Sequence, residues 1–188
     1  MNYTDWVKTV PLEIQQDSLW NQEVYRLALF AADVGWNDTT KLFRNGRTLK
    51  LAAQLFDAIG SVGANISEGY SRGHQKDRAR FYEYALGSAR ESRTWYFDGR
   101  HVLGDAVTSH RIRLHTQIIR LLLRILPATR GYALHEIDSG DSLMMTDGPH
   151  AVKSTEFASL FQSIPLCEFG NGTRNTEHGT RLNDSPSP

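Results

Sequence analysis

Between Trp20 and Leu126 the apolar residues recur every three or four positions, and no stretch alternates with a period of two. That one periodicity confines this part of the chain to helices. The first predicted helix starts near Asp17 or Ser18, both good N-caps, and places Trp20, Val24, Leu27, Ala31 and Val34 at spacings of 4, 3, 4 and 3. Gly35–Trp36–Asn37–Asp38 is a cluster of loop-forming residues and is expected to end it. A second helix is predicted from about Thr48 to Tyr70, with Leu51, Leu55, Ile59, Val62 and Ile66 on one face. A third opens after Gly73, carries Phe81, Tyr84, Ala85, Ala89, Trp95, Tyr96 and Val102, and closes at Gly104. The fourth runs from Val107 to Leu126 and stops before Pro127, whose ring and missing N–H oppose a helix interior. Long helices joined by short loops predict an all-α fold, an antiparallel up-down-up-down four-helix bundle over residues 17–130. Residues 1–16 read as an N-terminal extension. Residues 131–188 read as a mostly irregular, largely disordered acidic tail with one short helix at 154–164, where Phe157, Leu160, Phe161 and Ile164 share a face. Such a short helix is stable only when docked, either on its own bundle or in a partner's groove.

The fourth helix carries more apolar surface than a small bundle can bury. Arg113, Gln117, Arg120 and Arg124 fall within about 60° on a helical wheel, and apolar side chains occupy most of the remaining circumference. Either a second subunit or the returning tail must cover the excess, and the first is the expectation here.

Charge sets a second constraint. The chain is neutral overall, but residues 17–130 hold 17 Lys and Arg against 11 Asp and Glu, whereas residues 131–188 hold 3 against 8. A basic bundle with an acidic tail suits a polyanionic partner. Two clusters concentrate the positive charge: Arg72, Lys76, Arg78 and Arg80 around the turn between the second and third helices, and Arg113, Arg120 and Arg124 on the fourth. Phosphate contacts from such groups give affinity that depends on salt and is indifferent to sequence. The alternative for the turn cluster is surface pairing with Asp77, Glu83 or Glu91, where ion pairs contribute little. The stripe on the fourth helix has no acidic residue four positions away on either side.

Several classes find no support. One cysteine, Cys167, allows neither an internal disulfide nor a cysteine-based zinc site, and its place in the tail suggests an inert thiol. His110 and His115 are five residues apart, about 140° around a helix, unlike the pair of a helical metal site. No phosphate-binding glycine loop, dinucleotide fingerprint or nucleophile elbow occurs. No apolar run reaches the roughly 18 residues of a membrane span. The expectation is a cytoplasmic protein without metal, cofactor or catalytic residues.

The most distinctive stretch is SVGANISEGYSRG, residues 61–73, followed by DRARFYEYALGSARESRTWYF, residues 77–97. Ser61, Asn65, Glu68 and Arg72 form a polar stripe beside the apolar one. With Gly69, and with Gly87, Ser88 and Glu91 on the third helix, they suggest a half-buried polar seam between helices two and three that fixes register. These residues also carry a resemblance. The pattern Ser61, Asn65, Ile66, Glu68, Gly69, Arg72, then Phe81, Ala85, Gly87, Ser88, Glu91, resembles the bacterial four-helix bundle proteins encoded in intervening sequences of 23S ribosomal RNA genes. It is similar as well to the accessory variability determinant of diversity-generating retroelements. The resemblance covers residues 17–128 and implies a homopentamer without catalysis; the retroelement protein adds binding to nucleic acid and to a reverse transcriptase. The expected function is therefore a non-enzymatic oligomeric adaptor for RNA or DNA. The alternative is a protein–protein module that uses the helix at 154–164 and binds no nucleic acid.

Overall fold

The computed structural model of the chain describes residues 2–129 and 160–167. Two short helices, α1 (Tyr3–Val7) and α2 (Leu12–Gln15), and a 3-10 turn (Ser18–Asn21) lead into the first long helix, α3 (Glu23–Phe43). The long helices α4 (Leu49–Tyr70) and α5 (Gln75–Asp98) follow, then the single turn α6 (Arg100–Leu103) and the last long helix, α7 (Asp105–Thr129). Gly104, at φ 89°, supplies the left-handed residue that separates α6 from α7. No strand occurs among the described residues, and none of their helices is long and apolar enough to cross a membrane.

The four long helices pack in a ring, α3 on α4, α4 on α5, α5 on α7, and α7 back on α3, which is the expected four-helix bundle. Leu27, Leu55, Ile66, Leu114, Ile118 and Leu122 are fully buried at its centre. Each such side chain contributes on the order of 1.5–3 kcal/mol of transfer free energy. α4 and α5 share the most extensive interface. A Cβ at Gly69 would come within 2.9 Å of the Tyr82 ring, so the glycine sets how closely the two helices approach.

The α3–α7 side is the sparsest of the four, and other segments fill it. Trp6 of α1 is 4% exposed and meets Phe30 of α3 at 5.1 Å between ring centroids. Tyr3 packs between Phe30 and Phe161, at 5.2 and 5.0 Å. Residues 1–16, read as an extension, thus place an aromatic residue in the core. Of the short helix predicted at 154–164, residues 160–162 are helical and 154–159 lie outside the described residues. Leu160, Ile164 and Cys167 are buried against this same chain's bundle. Apart from residues 160–167, the disorder expected of 131–188 also lies outside the described residues.

Four expectations need correction. Asp17 caps the 3-10 turn through its side chain, and the long helix begins at Glu23. That helix does not end at Gly35–Asp38 but continues to Phe43. Its missing Cβ lets Gly35 lie against α4, where a methyl would sit 2.8 Å from Ile59 Cδ1, and Asp38 is held inside the bundle by a partner on α7. The fourth helix likewise runs through Pro127 to Thr129. The bond lost there belongs to the carbonyl of Leu123, an exposed residue, so the cost of the proline falls where water can offset it. Finally, the apolar excess of α7 is covered by its own chain: of its large apolar residues Leu123 alone is exposed. The argument for a second subunit on α7 therefore fails.

Candidate nucleic-acid interface

The turn joining α4 to α5 brings the first basic cluster together. Arg72 pairs with Glu68 one turn back, and its guanidinium lies 4.8 Å over the Phe81 ring. Arg78 donates from Nη2 to the Arg72 carbonyl at 2.9 Å. Arg80 donates from Nε to the Tyr84 hydroxyl at 2.7 Å, and Phe81 and Tyr84 meet edge to face at 5.9 Å. Lys76 and Arg80 are exposed. Glu68 is thus the acidic partner of Arg72, whereas Glu91 accepts from Trp95 Nε1 at 3.1 Å. Positive charge beside the exposed Tyr84 ring can contact both phosphates and bases.

Arg113, Arg120 and Arg124 are all exposed on one face of α7, with Gln117 half-buried among them. Arg93 of α5 donates to Thr116 Oγ1 at 3.4 Å and adds a guanidinium at the edge of this stripe. Because α5 and α7 are antiparallel, that contact also sets their register. The stripe therefore runs along α7, from Arg113 level with the last turns of α5 to Arg124 on the side nearer the α4–α5 turn that holds the first cluster.

The predicted polar seam between α4 and α5 does not form. Asn65 Nδ2 donates to the Ser61 carbonyl of its own helix at 2.8 Å, and Glu68 is exposed. On α5, Ser88 uses its carbonyl to accept from Ser92 Oγ at 2.8 Å, and Glu91 is exposed. A Cβ at Gly87 would meet nothing within 4 Å, so this glycine makes no close helix approach. The carboxylates of Glu68 and Glu91 reach solvent from these positions at less cost than burial in a seam would exact.

The buried polar centre lies instead between α3 and α7. Arg111 Nε donates to Asp38 Oδ2 at 2.7 Å, both side chains being fully buried. Arg111 Nη2 reaches Asp38 Oδ1 at 3.3 Å and the Pro165 carbonyl at 3.0 Å. Tyr96 donates to Asp38 Oδ2 at 3.0 Å, and Cys167 Sγ donates to Oδ1 at 3.2 Å. Burial, with the Asp38 carboxylate beside it, raises the Tyr96 phenol well above its usual range. Cys167 is pushed up to about 12 by burial and by the same carboxylate. Arg111 Nη1 donates to His110 Nδ1 at 2.8 Å, which leaves the ring proton on Nε2 to donate to the Leu160 carbonyl at 2.9 Å. None of these residues belonged to the predicted site. No group of three or more metal-ligating side chains occurs among the described residues.

Residues 21–102 match the family model of the 23S rRNA-intervening sequence protein. The match takes in α3, α4, α5 and most of α6, and leaves α7 and the docked segment outside. The bundle is also similar to the crystal structure of a protein of unknown function from the S23 ribosomal protein family of Bacteroides thetaiotaomicron. The TM-score is 0.52 at 22% identity, over 55% of this chain and 97% of that one. That likeness concerns the fold. No functionally curated protein matches the chain.

Proposed function

We propose that this protein is a non-enzymatic, oligomeric adaptor of the cytoplasm that binds RNA, or DNA, across the basic surface of its bundle. The observation that carries the reading is the exposed stripe Arg113, Arg120 and Arg124, widened by Arg93 and running along α7 in the direction of the turn that holds Arg72, Lys76, Arg78 and Arg80. The family model, named for an rRNA-borne gene, favours RNA as the nucleic acid. Resemblance to the retroelement accessory protein adds a reverse transcriptase as the protein partner, and five subunits would repeat the basic surface and multiply a weak site by avidity. The competing reading has the tail helix bind an unrelated partner. Leu160 and Ile164, the anchors it would need, are already buried on the bundle.

Replacing Arg113, Arg120 and Arg124 together by Ala tests the proposal. Each phosphate contact on a single strand contributes roughly 0.7 to the slope of log affinity against log salt. The triple variant should bind RNA more weakly and lose about two units of slope per subunit, read by fluorescence anisotropy across a salt series. Unchanged affinity and slope would refute it.

A further inference from the structure

Residues 160–167 dock on a surface that is already assembled without them. The pair Asp38–Arg111, the Tyr96 hydroxyl on Asp38 and the Arg111–His110 bond all lie within the bundle. This lattice leaves three directed groups for the segment: His110 Nε2–H for the Leu160 carbonyl, Arg111 Nη2–H for the Pro165 carbonyl, and Asp38 Oδ1 for the Cys167 thiol. Two of the three read main-chain carbonyls, the groups that every peptide presents. Leu160 and Ile164 supply the apolar anchors, 2% and 6% exposed, and Phe161 lies against Tyr3. Against these contacts stands the entropy of ordering eight residues, a term of similar size to the burial of a few apolar side chains. A rigid, prepaid receptor and a marginally held ligand are the conditions for exchange.

We propose that the face formed by α1, α3 and α7 is a peptide-docking site, which the chain fills with its own residues 160–167 and from which that strap exchanges. The peptide it takes has aliphatic anchors four residues apart, a proline directly after the second, and a small hydrogen-bond donor two residues further on, the pattern of Leu160, Ile164, Pro165 and Cys167.

Cys167 is the only cysteine of the chain and reports directly on the strap. Docked, it is buried with its thiol held protonated; released, it is an ordinary thiol. In the full-length protein, an aromatic disulfide reagent should label Cys167 through local opening, at a rate that urea well below the unfolding midpoint leaves unchanged while helical circular dichroism is retained. A labelling rate that rises with urea along the line for global unfolding would overturn the proposal. Ile164→Ser should speed labelling by ~10-fold or more and leave the thermal midpoint of the bundle in place. A midpoint that falls with it would show the strap to be an integral part of the core, and would equally overturn the proposal. A fluorescent peptide of residues 159–168 carrying Cys167→Ser should bind the full-length Ile164→Ser protein at least ~10-fold more tightly than the wild type, whose own strap competes at an effective millimolar concentration. Equal binding to both, or none to the folded variant, would refute exchange.

Discussion

At the scale of single residues, the centre of this molecule is one carboxylate. Asp38 accepts two bonds from Arg111 and one each from Tyr96 and Cys167, at zero exposure. Burying such a pair costs several kcal/mol per ion in lost hydration, which the mutual attraction and the added hydrogen bonds recover only together. The pair is therefore a poor source of net stability and a strong source of specificity, because it fits only when α3 and α7 stand in one register. Asp38→Ala should cost about 3–5 kcal/mol, since it strands the Arg111 charge in the core. Asp38→Ala with Arg111→Ala should cost clearly less than the two single changes summed. Urea denaturation of the three variants measures this directly, and additive losses would mean that the two residues act separately.

At the scale of elements, α7 combines a solvent stripe and a polar core face. His110 and His115 lie on the buried side, and both are lowered to about 4, chiefly by burial. The groups facing them are Arg111 and Arg113 of α7, Arg93 of α5 and Asp38 of α3; the arginines lower and the carboxylate raises. His115 Nδ1 donates to the Arg111 carbonyl, so a second proton would place an N–H at Nε2, which has no partner. Well above pH 6.5 both rings are neutral folded or unfolded and contribute no pH dependence. Between 6.5 and about 4 the unfolded chain takes up protons that the folded one refuses, so stability falls as pH falls, by roughly 1.4 kcal/mol per unit for each ring. Denaturation between pH 7 and 4.5 should show that slope, and His115→Gln should remove about half of it.

The same helix shows what a sequence discloses and what it withholds. The stripe of Arg113, Arg120 and Arg124 was legible because a surface face needs only period and charge. Arg111 was legible in principle: Arg111, His115, Ile118 and Leu122 are spaced 4, 3 and 4, which puts a charge on the core face. Its complement was equally visible, since extending Leu27, Ala31 and Val34 by four lands on Asp38. Each was masked by a local rule, the loop propensity of Gly35–Asp38 and the unsuitability of charge for a core. Only their pairing across 73 residues reverses both rules, and local propensity carries no information about a partner that distant. The polar seam failed for the opposite reason: Asn65, Glu68, Ser88 and Glu91 form a periodic pattern, but a pattern does not say whether its face is buried.

At the scale of the whole molecule, four large apolar side chains stay uncovered on the neighbouring helices α3 and α4. Trp36, Phe43, Leu49 and Phe56 are 62%, 47%, 48% and 45% exposed, and Trp36 meets Phe56 edge to face at 5.9 Å. Seven-residue steps separate Trp36 from Phe43 and Leu49 from Phe56, so each helix turns a stripe outward. A groove of about 270 Å³ continues along the same pair of helices, lined by Tyr25, Leu29 and Ala32 of α3 and Gly60, Gly63 and Ala64 of α4. Contiguous apolar surface of this kind is uncommon on monomers. The contacts of the proposed oligomer belong here rather than on α7. Trp36→Glu with Phe56→Glu should then reduce the mass measured by light scattering to that of one chain while leaving helicity intact, because neither side chain is part of the core. RNA affinity should fall with assembly, yet the salt slope per subunit should persist, since the arginines of each subunit are untouched. A wild-type protein that scatters as a monomer at all concentrations would refute assembly, and a slope lost along with the mass would mean that the phosphate contacts span two subunits.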